Sequence, residues 1–338
     1  MPTIKDVARE AGVSIATVSY VLNNKGDSIS APTRALVLET ATRIGYTPNV
    51  TARNLRFSRT GLIGYAWHEA PSNTMNTVLD QFIYHLAFAA EAEGYHLLTF
   101  THPTDDPTPV YDELIRTRRV DAFILAGTQE HDPRIELLQE RNFPFACFGR
   151  SQTDRPFTYV DVNAEQGVHD AVSYFVELGH KRIAMVAWDH KTYSTSLIRV
   201  RAFQQAMQTH GLSADLVYYG EHSEDTGRKA LQQWVQLPSD EQPTAVFAIS
   251  DLEAIGLMSE AQEHGIQVGE QLSIIGFDDM PLSQHLRPAL TTVRQPIKQS
   301  AEAVMENLMA LLANSDDIPE PVMLMPELVK RKSCHAIP

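Results

Sequence analysis

Two carboxylates stand side by side where an apolar run ends: Asp278 and Asp279, in "LSIIGFDDMP". Paired acids carry out glycoside hydrolysis, which needs two carboxyls facing each other across about 5–10 Å. Adjacent residues at a strand end point to different sides, so this pair is poorly placed for that reaction. The chain shows no glycine loop for phosphate, no zinc-ligand spacing and no nucleophile elbow. No catalytic residue, metal site or cofactor is expected. A single carboxylate is well suited to accept two hydroxyls of a polyol, helped by guanidinium donors and an aromatic face against the C–H side of a sugar ring. Asp279 reads as the strand-end hydrogen bonder of the pair. Trp67 and Trp188 each close a β-rich run and are expected to line a cleft, whereas Trp234, in "LQQWVQ", reads as core.

The elements that must position these residues begin at Gly61. Short β-rich runs ("GLIGYAW", "HLLTF", "DAFILAG", "FPFACFG", "RIAMVAW", "TAVFAIS", "LSIIGFDD") alternate with helical stretches such as "VLDQFIYHLAFAAEAEG" and "EQGVHDAVSYFVELG". That alternation predicts parallel sheets with helices on both faces. The strands are too many for one compact sheet, so two subdomains are expected, their strand ends facing one cleft.

Residues 1–47 read differently, as three short helices. Thr3 caps the first with Asp6 three positions on, and Ile4, Val7, Ala8 and Ala11 make its buried stripe. Gly12 breaks the chain and Ser14 caps the second helix, whose inner stripe is Val18, Val21 and Leu22. Ile15, Ala16, Ser19 and Tyr20 fall outside that stripe, leaving an uncharged second face. Ser30 caps the third helix, and Gly45 and Pro48 end it. "PNVTARNLRFSRT" follows, with Arg53, Arg56 and Arg59, about two helical turns that are marginal in water without a partner.

Composition supports a division of labour. The 338 residues exceed one ordinary domain, and 43% apolar with 21% charged residues is a globular composition. Residues 1–60 hold eight Lys/Arg against four Asp/Glu, a charge of +4, which leaves −18 for the remainder of a chain at −14. A basic head on an acidic body suits a head that seeks phosphate and a body that phosphate repels. Cys147 and Cys334 lie too far apart for a metal spacing and predict reduced thiols in cytoplasm, with Cys147 a small buried residue. No run is long enough to span a bilayer, and Met1 leads into a polar helix without a secretory signal.

Three motifs together resemble one family. "TIKDVAREAGVSIATVSYVLN" is a helix-turn-helix with a short Ala-Gly-Val-Ser turn, "GYTPNVTARNLR" a hinge, and "LGHKRIAMV" with "LSIIGFDDMPLSQHLRPALTTVRQP" belong to a sensor body. In this order they look like the LacI/GalR (lactose-repressor) family of bacterial transcription regulators, over nearly the whole chain. The resemblance implies an all-α helix-turn-helix head (1–47), a hinge helix (48–60) and a periplasmic-binding-protein-like α/β core (61–338). That core would divide into a first subdomain, about 61–161 plus 293–322, and a second, about 162–292 plus 323–338.

On DNA, the resemblance implies that the second helix lies in the major groove, with Ile15, Ala16 and Tyr20 at base-reading positions. Thr3, Ser14, Thr17, Ser19 and Asn23 carry short polar groups suited to phosphate oxygens. Tyr20 stands where the family commonly has Arg. Paired hinge helices would enter the minor groove of a palindrome, with Leu55 the wedge, Ala52 against sugar edges, and Asn49, Arg53 and Arg56 near the backbone. Asn54 replaces a small residue there. The partners implied are double-stranded operator DNA, a second copy of the chain and a small-molecule effector; "KSCHAIP" offers no heptad for a tetramer.

For the effector, Asp278 and Arg199 match the family's principal binding pair. Tyr193 and Thr195 precede that arginine, and His222 occupies a place usually held by Phe or Trp. Arg150, Ser250, Asp251 and Gln295 are further wall residues, beside Trp67 and Trp188. The expected function is a cytoplasmic, dimeric, sugar-released repressor. Two alternatives stay open: a regulator that needs a purine or phosphoprotein corepressor, and a sugar-binding protein that touches no DNA.

Overall fold

The computed structural model describes residues 2–22, 29–46, 59–67, 77–188, 194–314 and 317–337. The chain divides into two compact units, Met1–Gly61 and Leu62–Pro338.

In the first unit, α1 (Ile4–Ala11), α2 (Ile15–Leu22) and α3 (Ala31–Arg43) bury one small core of Val7, Ala8, Ala11, Val18, Val21, Val37 and Ala41. The α1 start is set by Asp6, whose carboxylate accepts the Thr3 backbone N–H at 2.9 Å and the Thr3 hydroxyl at 2.8 Å. These bonds, with Arg9 beside them, hold the Asp6 carboxyl below the usual range. Gly12 turns the chain at a φ of 64°, which lets the Val13 N–H reach back to the Ala8 carbonyl at 3.0 Å. Ser14 accepts the Thr17 N–H at 3.0 Å and opens α2.

The second unit contains two six-stranded sheets among its described residues. β1 (Leu62–Trp67), β2 (His96–Thr101), β3 (Ala122–Ala126), β4 (Phe145–Phe148), β5 (Tyr159–Val162) and β11 (Val322–Leu324) form the first, in the order β11-β5-β4-β3-β1-β2, all parallel. β6 (Ile183–Trp188), β7 (Val217–Gly220), β8 (Ala245–Ala248), β9 (Ser273–Asp278), β10 (Thr291–Arg294) and β12 (Glu327–Val329) form the second, in the order β12-β10-β9-β8-β6-β7. Only β12 runs antiparallel to its neighbour in that sheet. β10 keeps Val293 and Arg294 with the second sheet and β11 keeps Leu324 with the first. Both returning crossings thus lie a residue or two later than the borders expected from sequence.

Helices cover both faces of each sheet. α4 (Thr77–Ala92) and α11 (Ile297–Ala313) pack on one side of the first sheet through Phe82, Leu86, Val304 and Leu308. α5 (Thr108–Arg116) and α6 (Pro133–Glu140) pack on the other through Tyr111, Leu114, Ile135 and Leu138. On the second sheet α7 (Ala164–Glu177) and α8 (Ser194–Thr209) oppose α9 (Glu224–Trp234) and α10 (Asp251–Glu263). Trp234 is buried in that last layer. The α9–α10 contact is backbone on backbone: a Cβ on Gly256 would sit 1.8 Å from the Glu224 carbonyl oxygen, and one on Gly227 would sit 2.0 Å from that of Glu253. These two glycines bring the starts of α9 and α10 together beside the strand ends.

Candidate functional site

On the head, α2 presents a free face. Ile15 and Tyr20 are 45% and 54% exposed and Ala16 is exposed with them, while Val18 and Val21 on the opposite side are buried. Apolar side chains left exposed beside a complete core need another reason to be there. Thr17 and Ser19 are half-buried. The Ser14 and Thr17 hydroxyls bond each other at 2.9 Å, so capping already uses them. Thr3 gives both its N–H and its hydroxyl proton to Asp6, which leaves no donor there for a phosphate. Asn23, Asn49, Ala52, Arg53, Leu55 and Arg56 lie outside the described residues, as does Tyr193 of the effector set.

In the body, the strand ends hold the expected pair. Asp278 closes β9 at a φ of 117° and Asp279 follows at 53°, both in the region L residues rarely adopt. The turn sends the two carboxylates apart. Asp278 lies 3.6 Å from the Arg199 Nη1 and accepts the Gln295 amide N–H at 2.6 Å. Asp279 accepts from Arg294 at 2.7 Å and from Arg331 at 2.6 Å, a structural role.

Arg199 is buried, lies 3.7 Å over the Phe277 ring and donates Nη1 to the Ile249 carbonyl at 2.6 Å. Its Nε–H is buried without a partner among the described residues. Loss of water lowers the Arg199 pKa and pushes that of Asp278 up to about 6. Asp278, Asp279, Arg294 and Gln295 line a cavity of about 460 Å³ that opens against Gln81 and His85 of α4 and the first turn of α11. That size suits a small ligand.

Aromatic side chains stand at two other strand ends. Trp188, at the end of β6, has its ring 4.3 Å from that of His222, tilted by 45°. Burial, and next Arg199, push the His222 pKa down to about 4, so the ring is neutral. Trp67 ends β1 on the other sheet, 36% exposed and edge-on to Tyr65. Thr195 is half-buried in the first turn of α8, next to Ser194, whose N–H crosses to the Thr128 carbonyl of the first lobe at 3.1 Å.

Two expected wall residues are committed elsewhere. Asp251 is fully buried and its oxygens are taken by the Thr292 hydroxyl at 2.5 Å, the Met280 N–H at 2.8 Å and the Ser283 hydroxyl at 2.5 Å. It anchors the loop after β9 rather than lining the cleft; Gly276 makes room for it, since a Cβ there would lie 2.2 Å from its Oδ1. Arg150 spends its Nε on Asp161 at 2.6 Å and one amino group on both Glu165 oxygens at 3.0 Å.

One residue of the wall escaped the sequence reading. Glu253, fully buried on α10, accepts the Trp188 indole N–H at 2.8 Å and so fixes that ring. Its signal was a carboxylate on the same helix stripe as Leu257 and Ala261.

The model for bacterial regulatory proteins of the lacI family matches residues 3–49, and that for a periplasmic binding protein-like domain matches residues 172–334. The chain is 31% identical over 340 residues to the probable HTH-type transcriptional repressor ExuR of Bacillus subtilis (strain 168), covering 100% of this chain and 99% of the relative. The chain belongs to the LacI family. It is a DNA-binding transcriptional repressor of that family, and the relatives it matches are regulators rather than enzymes. Among solved structures, the lac repressor dimer bound to operator and the anti-inducer ONPF aligns with a TM-score of 0.85 at 25% identity, over 99% of each chain. The transcriptional regulator CelR in complex with cellobiose aligns with 0.74 at 25% identity, over 98% of this chain and 100% of that one. Among the described residues of this LacI-family chain, no helix is long and apolar enough to cross a membrane.

Proposed function

We propose that this LacI-family regulator represses carbohydrate-utilisation genes and is released from its operator by a sugar or oligosaccharide. The observation that carries the reading is the wall at the ends of β6, β8 and β9. There one buried carboxylate, Asp278, meets a buried guanidinium, Arg199, whose charge reaches His222, itself in tilted contact with the Trp188 ring. This is the donor, acceptor and aromatic set that a polyol ring needs. CelR, of the same fold, was solved with cellobiose.

On DNA, the exposed face of α2 would read the major groove through Ile15, Ala16 and Tyr20. Two copies of the chain would pair their 48–60 tethers over a palindrome, each inserting Leu55 into the minor groove. Leu55→Ala is then expected to weaken specific binding far more than non-specific binding; equal losses would remove the wedge. A protein working on operators acts in the cytoplasm.

Ligand closes the lobes, and each 1.4 kcal/mol by which it prefers the closed form weakens operator binding about tenfold. A thermal-shift screen over mono- and oligosaccharides tests the effector class, because ligand at about a hundred times its Kd stabilises by about 2.7 kcal/mol. No stabilising sugar in a broad panel would overturn the carbohydrate reading.

A further inference from the structure

Glu253 carries an inference beyond holding a tryptophan. Its Oε1 accepts two donors, the Trp188 Nε1–H at 2.8 Å and the Ser223 backbone N–H at 3.1 Å. Its Oε2 faces the Ser250 hydroxyl. Ser250 Oγ in turn accepts the Leu252 N–H at 3.1 Å and lies 3.3 Å from His222 Nε2.

A hydroxyl has one proton and two acceptor sites, and Leu252 occupies one of the sites. The proton and the remaining site must be divided between Glu253 and His222. When Glu253 is ionised, Ser250 donates to it, so the neutral His222 must carry its proton on Nε2 and its Nδ1 is an acceptor. When Glu253 is protonated, the proton sits on Oε2, because Oε1 already faces two N–H groups. Glu253 then donates to Ser250, Ser250 donates to a bare Nε2, and Nδ1 carries the hydrogen.

We propose that Glu253 is a positioning residue that sets, through Ser250, whether His222 offers a donor or an acceptor from Nδ1. Among the described residues, no hydrogen bond to Nδ1 competes for it. The charged groups that reach this set are Asp278 at the end of β9, which acts on Glu253, and Arg199 on α8, which acts on His222. Burial pushes Glu253 up to about 8 and holds His222 near 4, so the glutamate titrates while the imidazole stays neutral.

The consequence for ligand rests on the effector reading above. With Glu253 protonated, the wall holds two donors, the His222 Nδ1–H and the buried Arg199 Nε–H, which suit an acceptor oxygen such as a carboxylate or carbonyl. With Glu253 ionised it holds one donor and one acceptor, which suit a hydroxyl.

The test uses the full chain with imidazole-¹⁵N histidine and no ligand, His222 being assigned by comparison with His222→Gln. Nitrogen spectra are recorded from about pH 6 to about pH 9.5, bracketing the ordinary histidine range and the raised glutamate. The expected result is an Nδ1–H tautomer at the low end that converts to Nε2–H at the high end. Glu253→Gln should hold the Nδ1–H form throughout, because its amide N–H replaces the carboxylic proton, and Ser250→Ala should remove the pH dependence. One tautomer at every pH in the wild type, or a Glu253→Gln protein that converts like wild type, would overturn the proposal. If Glu253→Gln does not fold, Ser250→Ala decides: a tautomer change that survives it refutes the relay. None of these outcomes depends on which effector binds, so the relay and the effector reading fail separately.

Discussion

The reading face of the head and the wall of the cleft solve recognition in opposite ways. On α2 the candidate contacts Ile15, Ala16 and Tyr20 are exposed and uncharged, and the Ser14 and Thr17 hydroxyls beside them are spent on the cap. In the cleft, Arg199 and Glu253 are buried and the Asp278 side chain is 8% exposed, and each constrains a neighbour by a hydrogen bond or a ring contact. An exposed, uncharged face gains its energy only when a partner dries it, so it discriminates through fit, and a salt response comes from the basic residues of the head around it. A buried charged wall carries its electrostatic cost before any ligand arrives, so it responds to pH and to the loss of any single partner. On the proposed function, one chain would hold a reader that answers to ionic strength and a sensor that answers to protonation.

The largest effect that separates the two regions is expected from Asp278→Asn. Truncating one partner of a buried charged pair costs about 2–5 kcal/mol of binding, at least about thirtyfold in effector affinity. Operator binding without effector should stay at the wild-type level. Anisotropy with a labelled operator, with and without effector, reads both; an unchanged response would move the site away from Asp278.

Next comes pH. Glu253, Asp251 and Asp278 hold protons more tightly when folded, at about 8, 7 and 6, than in the unfolded chain. The stability they contribute is complete below the ordinary carboxylate range and is lost as pH rises through those values. His180 and His222, depressed to about 4, act in the opposite sense, but their contribution is complete once pH passes the ordinary histidine range near 6.5. Between about pH 6.5 and 8.5 the body should therefore lose stability, on the order of 2 kcal/mol. Calorimetry that shows a flat or rising body Tm over that window would break the contrast.

The smaller effects lie on the head. Tyr20→Ala should cost about 1–3 kcal/mol on the specific operator and leave non-specific binding unchanged at the same salt. Equal losses on both duplexes would mean that the ring reads no base. Ser14→Ala removes the cap of α2 and should lower head stability by about 1 kcal/mol. Amide exchange in α2 checks this, and unchanged protection would contradict the capping role.

What was legible from sequence follows the same division. The head could be read almost residue by residue, because Val7, Val18, Val21 and Val37 sit at helical spacing between clear caps. In the body the longer strands were plain, since runs such as "RIAMVAW" are buried on both faces. β5, β7, β10, β11 and β12 were not marked as strands. They are three or four residues long, and their apolar runs, such as Val-Met-Leu in β11, are too short to mark a strand.

In the candidate site, the pairing of Asp278 with Arg199 was legible by motif. Asp251 was misread because its role depends on the Thr292 and Ser283 hydroxyls, 41 and 32 residues away in sequence. Glu253 was missed for a related reason. Its partners Trp188, Ser223 and Ser250 come from three separate segments, brought together by strand ends and by the glycine-lined crossing of α9 and α10.

The central claim is that a sugar held at Asp278 and Arg199 loosens the grip of the head on DNA. Operator affinity of the full chain, titrated with a panel of mono- and disaccharides at fixed salt, tests it directly. The account predicts that at least one sugar weakens wild-type binding by about tenfold or more and leaves Asp278→Asn unmoved. Tighter operator binding with ligand, or an Asp278→Asn protein that responds like wild type, would contradict it.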